Sequence, residues 1–407
     1  MKLKALLWTK RINLWNIPEM IDSEERAVGE AWKVPLSDLL LDEALVADVA
    51  RTVAEGWWSM GPRVEAFEEA FASSVGARHA LAVANGTAAL HLALLAAGCG
   101  PGDEVIVPSL NFVAAANSIA HAGATAVFCD IVGSEDLNAD PADVAACITP
   151  RTKAILALHY GGFPCEIEAL CELVDDRGLV VIEDAAHAPG AYRGARACGT
   201  FGLVGCYSFF ANKNMPVGEG GMVVTDDDAA AASMRLLRSH GMTTLTWDRH
   251  RGHASSYDVV VKGYNYRLDE LRATIGLHRL AGLAEENAGR RRAAARYRSR
   301  LADLEGVQVP FDGADQDGAS HHLFVVVLPD GTDRDAVRTA LAERRIQTSV
   351  HYPPIHQFTA HAASATRPLP RTDEVAPRVL TLPLFGHIRD DQIDAVTDAL
   401  ADALQRS

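Results

Sequence analysis

The feature of the sequence that most constrains its fold is a series of short apolar runs between residues 81 and 225. Most of the runs hardly alternate between apolar and polar residues, which is typical of strands covered on both faces. Helical segments such as TAALHLALLAAG separate them, and strands alternating with helices predict an α/β fold built on a mainly parallel sheet. The predicted strands are 81–84, 104–108, 125–130, 154–158, 179–184, 204–209 and 221–225.

The segments on either side of this core predict further elements. Before it, a helical stripe of apolar residues runs from Val64 to Val75 and stops at Gly76. After it, a long helix is predicted over 268–304. A strand, a helix and a second strand come next and indicate a small α+β unit. Those three elements are predicted at 322–328, 333–344 and 346–352.

Three parts of the chain are predicted from this organisation. They are an N-terminal arm over residues 1–33, a large domain over 34–285 and a small C-terminal α+β domain over 286–407. Residues 1–33 show no clear periodicity, so an arm packed on a partner subunit and a disordered leader are both open readings.

Composition excludes several classes of protein. A formal net charge of -15 argues against nonspecific binding to nucleic acid or to an anionic membrane. No apolar run approaches the length of a membrane span, and the opening stretch lacks the continuous apolar region of a signal peptide. The 7 cysteines are scattered without a disulfide framework or a metal spacing. We therefore expect a soluble cytoplasmic protein with no metal site and with neither nucleic acid nor membrane as a partner.

Three polar features follow predicted strands, at the sheet edge where open α/β folds bind ligands. The first is Asn85-Gly86-Thr87, between a strand and a helix. Gly86 allows close approach of the backbone, Thr87 can cap the helix, and free amides at a helix N-terminus favour a phosphate. A threonine cap after a glycine turn is also commonplace, so this feature alone does not establish a phosphate site.

The second feature is VVIEDAAHAPGA, in which an apolar strand ends at Asp184 and His187 follows. A buried carboxylate needs a partner to stay charged. The pyridinium nitrogen of pyridoxal phosphate is such a partner, since a carboxylate keeps it protonated and able to accept electrons. The ordinary alternatives are that Asp184 caps the next helix and that His187 is a satisfied core histidine.

The third feature is Lys213 in YSFFANKNMPVGEGG, just beyond a strand and before a glycine-rich turn. Most loop lysines are simply solvated. The combination of a strand-end aspartate, a strand-end lysine and a phosphate turn on one sheet favours a lysine that forms a Schiff base with the cofactor, which requires an amine of lowered pKa. The dinucleotide fingerprint, the P-loop and the zinc-protease spacing are absent from the sequence.

The sequence as a whole resembles the DegT/DnrJ/EryC1/StrS family of nucleotide-sugar aminotransferases. The likeness extends from about Val34 to the C-terminus and leaves out only the predicted arm. It is carried, in this order, by GPRVEAFEEAFA, ANGTAALHLAL, PGDEVIVPSLNFVAAANSI, PRTKAILALHYGG, VVIEDAAHAPGA, SFFANKN, EGGMVVT, GYNYRLDELRATIG and RVLTLPLF. The resemblance implies the type I fold of pyridoxal-phosphate-dependent aminotransferases, with a mainly parallel seven-stranded sheet in the large domain and a small C-terminal α+β domain.

The resemblance also implies roles for residues around the cofactor ring. Lys213 would hold the cofactor and carry the proton that moves during catalysis. Asp184 would pair with the pyridine nitrogen and His187 would lie beside the phenolic oxygen. Phe112, in PSLNFVA, takes the aromatic position that stacks on the ring.

Other implied roles concern the phosphate and the substrate. Gly86, Thr87 and Ser208 would bind the cofactor phosphate. Asn265, in GYN, would reach that phosphate from the neighbouring subunit, so the resemblance implies a homodimer with shared active sites. The weaker candidates for the nucleotide-sugar side are Arg267, His351 and Tyr352.

The implied reaction is transamination. Glutamate would give its amino group to the cofactor and leave as 2-oxoglutarate, and a nucleotide-linked keto sugar would then accept the amine, with dTDP-4-keto-6-deoxyglucose aminated at C4 as the leading candidate. Some relatives have histidine in place of the lysine and act as sugar 3-dehydratases, so Lys213 argues for transamination. Amination at C3 of a 3-keto sugar and a non-catalytic regulatory protein are the alternatives.

The segment over 242–262 bears on the position that is aminated. It resembles an insertion in members of the family that aminate C4, and it contains Arg249, Arg251 and His253, which suit a diphosphate. An exposed charged loop is the alternative reading. High alanine and arginine usage and the antibiotic-sugar relatives point to secondary metabolism, but a role in an envelope polysaccharide is equally compatible.

Overall fold

The seven predicted apolar runs form one central sheet. The computed structural model describes residues 32–175, 177–244, 247, 252 and 256–406. Each central strand lies within two residues of its predicted bounds at both ends. Two short strands form a separate hairpin and two more form a C-terminal pair. The strands are β1 His79–Val83, β2 Glu104–Pro108, β3 Thr125–Cys129, β4 Thr152–Leu158, β5 Val180–Asp184, β6 Tyr192–Arg193, β7 Arg196–Ala197, β8 Val204–Ser208, β9 Gly221–Thr225, β10 Phe324–Val327 and β11 Val379–Leu382.

The central sheet has the strand order β1-β9-β8-β5-β4-β2-β3. β3, β2, β4, β5 and β8 pair in parallel, whereas β9 is antiparallel to both of its neighbours, β1 and β8. The sequence pattern did not indicate this reversal, because a buried strand has the same apolar composition in either direction. The predicted α/β class with a mainly parallel sheet is confirmed.

Helices cover both faces of the sheet, and successive residues of a strand enter different cores. Leu81 and Val83 of β1 pack in a cluster with the helix Gly86–Ala96, whereas Ala80 and Ala82 pack with the phenylalanines of the helix Pro62–Val75. The α-helices are Glu43–Glu55, Pro62–Val75, Gly86–Ala96, Ala114–His121, Pro141–Cys147, Ile167–Glu172, Asp228–Arg238, Glu270–Leu301, Arg334–Glu343, Pro370–Val375 and Asp390–Leu404. Within the part of the chain that the structure describes, no helix has both the length and the apolar character needed to cross a membrane.

The predicted helix boundaries hold where a cap specifies them. The helix Pro62–Val75 ends at Gly76, which takes a left-handed φ of 73° as its C-cap. In the C-terminal unit, the Asp333 side chain caps the helix Arg334–Glu343, within one residue of the predicted bounds.

One predicted strand in the C-terminal unit is wrong. Residues 346–352 are extended but form only isolated bridges, from Ile346 to Val34 and from Ser349 to Thr381. β10 pairs instead with β11 in an antiparallel ladder. The segment has neighbours on both sides, but each of these pairings lasts for a single residue pair.

The long helix Glu270–Leu301 connects the sheet to the C-terminal unit. Its last turns, at Tyr297 and Leu301, pack in a separate apolar cluster with β10 and β11. Val34 belongs to that cluster too, although it is the first residue of the predicted large domain. The domain boundaries at 33 and 285 stay a prediction.

Candidate active site

The carboxyl ends of the strands meet at one cavity of about 430 Å³. Asp184 ends β5, Ser208 ends β8, and the helix Gly86–Ala96 begins at the same edge. The predicted site residues that line the cavity are Gly86, Thr87, Phe112, Asp184, His187, Ser208, Lys213, His351 and Tyr352. Residues far apart in the chain therefore converge where an open α/β sheet binds its ligand.

The turn before the helix Gly86–Ala96 differs in one detail from the sequence prediction. Asn85, not Thr87, is the N-cap: its backbone is extended and its side-chain oxygen accepts the amide hydrogen of Ala88. Thr87 is the second residue inside the helix, because the helix already begins at Gly86. The N-terminal amides of the helix and the Thr87 side chain therefore both lie at the cavity, in the arrangement that favours a phosphate.

Gly86 and Ser208 approach each other too closely for a side chain at position 86. A Cβ atom built on Gly86 would lie 2.9 Å from the Ser208 Cβ and 3.2 Å from its Oγ. Glycine at this position leaves room for the Ser208 side chain at the edge of the cavity.

Asp184 is only 4% exposed and lies at the floor of the cavity. Burial raises the pKa of its carboxyl group, while the Ala186 amide, the charge of Lys213 and the Asn111 side chain oppose that rise. The Ala186 amide donates to the Asp184 carboxylate over 3.2 Å. Asp184 therefore has the environment of a buried carboxylate whose charged form needs a cationic partner.

Lys213 follows β8 in a loop whose backbone folds back on the strand. Burial lowers the pKa of its amine from the usual 10.5 to about 8, with Asp184 opposing the shift. The Nζ atom lies 3.3 Å from Nε2 of His322. An amine of this pKa is partly neutral near pH 8 and so carries the lone pair that a nucleophile or base requires.

His187 is a buried histidine whose two ring nitrogens both have partners. The Gly161 amide donates to its Nδ1 over 3.2 Å, which places the ring hydrogen on Nε2. Nε2 in turn lies 2.8 Å from the Tyr352 hydroxyl. Burial lowers the pKa of the imidazole well below its usual value, so the ring is neutral and donates to Tyr352.

Phe112 and Tyr352 form the aromatic part of the cavity wall. Their ring centroids are 5.8 Å apart and their planes meet at 47°. Phe112 lines the cavity and its side chain is 54% exposed. The wall suits a planar ring that would cover it.

These features together fit pyridoxal phosphate. The helix N-terminus and the Gly86 cradle suit its phosphate, the Asp184 carboxylate suits the pyridinium nitrogen, and the amine of Lys213 suits the carbonyl carbon. Phe112 offers a ring face.

The sequence pattern missed polar residues of this wall. Asn111 is almost fully buried, and Asn212, which precedes Lys213, also lines the cavity. His322 was treated only as the first residue of a strand, yet it touches Lys213. Adjacency to Phe112 and Lys213 was the only signal for the two asparagines, and no local signal pointed to His322.

The structure does not bring every predicted residue to the cavity. Arg249 lies outside the described residues. Arg267 forms a backbone bridge with Val83 and is half-buried away from the cavity lining. Asn265 is exposed and pairs through its backbone with Ser239.

A sheet that delivers a carboxylate, a lysine of lowered pKa and a helix N-terminus to one cavity fits the class of pyridoxal-phosphate-dependent enzymes. Comparison with known proteins gives the family: residues 40–401 match the DegT/DnrJ/EryC1/StrS aminotransferase family, and the chain belongs to it. It is a sugar aminotransferase of that family, as the resemblance implied.

Individual relatives are similar over nearly their whole lengths. The spore coat polysaccharide biosynthesis protein SpsC of Bacillus subtilis (strain 168) is 39% identical over 381 residues, which cover 91% of this chain and 97% of SpsC. The structure of DesV from S. venezuelae is 37% identical, with a TM-score of 0.84 over 93% of this chain and 100% of DesV. PseC of Helicobacter pylori, an aminotransferase involved in the biosynthesis of pseudoaminic acid, is 28% identical, with a TM-score of 0.85 over 92% of this chain and 100% of PseC.

Proposed function

We propose that this enzyme transfers the amino group of L-glutamate to C4 of a nucleotide-linked 4-keto-6-deoxy sugar, with dTDP-4-keto-6-deoxyglucose as the leading candidate. The observation that carries the proposal is the buried pair of Asp184 and Lys213 at one cavity. A lysine with a pKa of about 8 can hold and return a proton near neutral pH, which transamination requires.

The proposed roles follow from the position of each side chain. When bound, pyridoxal phosphate supplies an electron sink for the carbon that loses its proton. Lys213 would take that proton on Nζ and would move it between the substrate carbon and the cofactor. Asp184 would keep the positive charge on the ring nitrogen, and His187 would lie beside the ring's phenolic oxygen, with its Nε2 hydrogen donated to Tyr352.

The phosphate and ring contacts complete the proposed cofactor site. Gly86, Thr87 and Ser208 bind the phosphate at the helix N-terminus. Phe112 covers one face of the ring. On the substrate side, His351 and Tyr352 from the described residues and Arg249 from the segment 242–262 are the proposed contacts to the nucleotide sugar.

We also propose that the enzyme is a homodimer in which Asn265 reaches the phosphate of the neighbouring subunit. Tyr264 and Tyr266 support this role. Their rings stack 5.0 Å apart with planes at 10°, and the Tyr266 hydroxyl lies 3.1 Å from Nδ1 of buried His91. The two tyrosines thus anchor the segment in its own subunit while the residue between them stays exposed.

Complementation tests the shared site. Lys213→Ala and Asn265→Ala should each be nearly inactive alone. After mixing under conditions that exchange subunits, about a quarter of wild-type activity should return, because half of the dimers are hybrids and each hybrid has one intact site. A mixture that stays inactive although hybrid dimers form contradicts the proposed role of Asn265.

The reaction itself is tested with glutamate and a panel of nucleotide-linked 3-keto and 4-keto sugars. Formation of 2-oxoglutarate that depends on a 4-keto sugar, with the amine found at C4 by NMR, is the expected result. An amine found at C3 instead would overturn the assigned position. Absence of turnover with every keto sugar would contradict the proposed substrate class and favour a regulatory role.

We further propose that the enzyme works in the cytoplasm. All 7 cysteines are free thiols and 6 of them are buried, which is typical of a protein from a reducing compartment. Secondary metabolism and polysaccharide synthesis are both compatible with this placement.

A further inference from the structure

His322 is a buried histidine that the reaction described above does not use. It precedes β10, is 4% exposed, and belongs to the C-terminal unit rather than to the central sheet. Its Nε2 lies 3.3 Å from the Lys213 Nζ, although 108 residues separate the two in the chain. The contact joins the proposed reacting amine to a different part of the fold.

A chain of amides fixes which nitrogen of His322 carries the hydrogen. Asn287 Nδ2 donates to the Pro189 carbonyl, so Asn287 Oδ1 is an acceptor for Asn214. Asn214 Nδ2 donates both to that oxygen, over 2.8 Å, and to the Ser320 carbonyl, over 2.7 Å.

Both amide hydrogens of Asn214 are therefore used, and its Oδ1 faces Nδ1 of His322 over 3.0 Å. An oxygen acceptor at this place requires the hydrogen on Nδ1 of the imidazole. Burial lowers the pKa of His322 well below its usual value, so the ring is neutral and Nε2 keeps its lone pair. Nε2 can then only accept a hydrogen bond, and the donor is the amine of Lys213.

The backbone of His322 is held on both sides. Its amide donates to the Gly161 carbonyl over 2.8 Å, and its carbonyl accepts from the Arg290 guanidinium over 3.2 Å. The imidazole therefore has a fixed anchor, a fixed tautomer and a fixed distance from Lys213.

We propose that His322 is the positioning residue of Lys213: by accepting one N–H of the amine, it fixes the rotation about the Cε–Nζ bond and directs the lone pair into the cavity. The inference rests on the proposed role of Lys213. It adds that the small C-terminal unit orients the reacting amine through the Asn214–His322 pair.

Two substitutions at one position separate the two hydrogen bonds of the ring. His322→Gln places an amide oxygen near the former Nε2 and so keeps an acceptor for Lys213. His322→Asn keeps an amide near the former Nδ1, where it can still bond to Asn214, but is too short to reach the amine. His321→Asn is the matched control, since His321 is equally buried but bonds to the Gln316 carbonyl.

The first measurement uses the full-length chain freed of cofactor and follows covalent capture of pyridoxal phosphate by its absorbance. His322→Asn should capture it more slowly, by about tenfold or more, because a misdirected amine attacks less often. His322→Gln and His321→Asn should stay within about threefold of wild type.

The second measurement uses the loaded enzyme with glutamate that is deuterated at the α-carbon. In His322→Asn, kcat should fall by about tenfold to a hundredfold with little change in KM, and the isotope effect should rise because proton transfer becomes slower. Thermal unfolding of all three variants checks that the fold is intact.

Equal losses in His322→Gln and His322→Asn, matched by equal losses in thermal stability, would reduce His322 to a structural residue and overturn the inference. Unchanged capture in His322→Asn would overturn it too. Failure of the proposed function is seen separately, as a wild-type enzyme that captures the cofactor but forms no 2-oxoglutarate.

Discussion

Replacing Lys213 by methionine should stabilise the cofactor-free protein, and the gain should depend on pH. A fall in pKa from 10.5 to about 8 means that the folded chain holds the protonated amine less favourably than the unfolded chain does. At about 1.4 kcal/mol for each pH unit, this difference destabilises the folded state by about 3 kcal/mol at pH 7. Lys213→Met removes the charge but keeps a side chain of similar length.

The sign follows from proton binding. Between pH 8 and 10.5 the folded wild type binds fewer protons than the unfolded chain, so its stability rises with pH in this window. The advantage of Lys213→Met should therefore be about 3 kcal/mol at pH 7 and narrow to about 1.4 kcal/mol at pH 9.5.

Denaturant unfolding of the cofactor-free proteins at several pH values between 7 and 9.5 measures this difference. Lys33→Met serves as the control, because Lys33 is exposed and its substitution should leave the free energy of unfolding nearly unchanged. The charge of Lys213 also lowers the pKa of Asp184, so removing Lys213 changes the titration of Asp184 as well. The same comparison is therefore made between Asp184→Asn with Lys213 and Asp184→Asn with Lys213→Met, where only the cost of burying the amine differs. A gain that does not change with pH, or wild type being the more stable protein at pH 7, would refute the reasoning.

Three other substitutions test the cofactor site. Gly86→Ala places a Cβ 2.9 Å from Ser208, and overpacking of about 1–3 kcal/mol should weaken the binding of pyridoxal phosphate by about fivefold to a hundredfold in equilibrium dialysis. Gly100→Ala is the control, because the space around Gly100 is open, and equal cofactor affinities in the two variants would contradict the predicted crowding. Asp184→Asn should keep the fold but lower kcat by about a hundredfold or more, because a neutral amide does not hold positive charge on the ring nitrogen. A kcat within about tenfold of the wild-type value in steady-state measurements would reject that role for Asp184. Phe112→Ala should change the free energy of unfolding by less than about 1 kcal/mol, since the ring is 54% exposed, but it should raise the dissociation constant of the cofactor. A loss of stability without a loss of cofactor affinity would show that the ring serves packing and not cofactor binding.

The sequence predicted those parts of the fold that depend on local composition. The seven central strands stand out because each is a continuous apolar run, and the runs end where Asp184 and Ser208 reach the cavity. The helix boundaries at Gly76 and Asp333 were predictable because glycine and aspartate are themselves the caps. In each case the residue that determines the structure lies inside the segment that it shapes or directly next to it.

The parts that failed depend on partners far away in the chain. The segment 346–352 was predicted to be a strand, but its neighbours allow only single bridges to Val34 and Thr381. The contact of His322 with Lys213 joins two loops that no local pattern links. Thr87 seemed a suitable cap, yet the register of the turn gave that place to Asn85, two residues earlier.

The shifted pKa values around the cavity have a common consequence. Burial raises the pKa of Asp184 and lowers those of Lys213, His187 and His322, so each shift favours the uncharged form of its group. A charged lysine would be a poor nucleophile, and charged histidines could not accept its hydrogen. The desolvation that costs the fold stability therefore supplies the neutral amine that the reaction needs. In the proposed cofactor site, the anionic phosphate would be bound by the backbone amides of the helix that begins at Gly86, without a buried cation. The central strands supply stability that offsets this cost, since their apolar side chains bury hydrocarbon in clusters on both faces of the sheet.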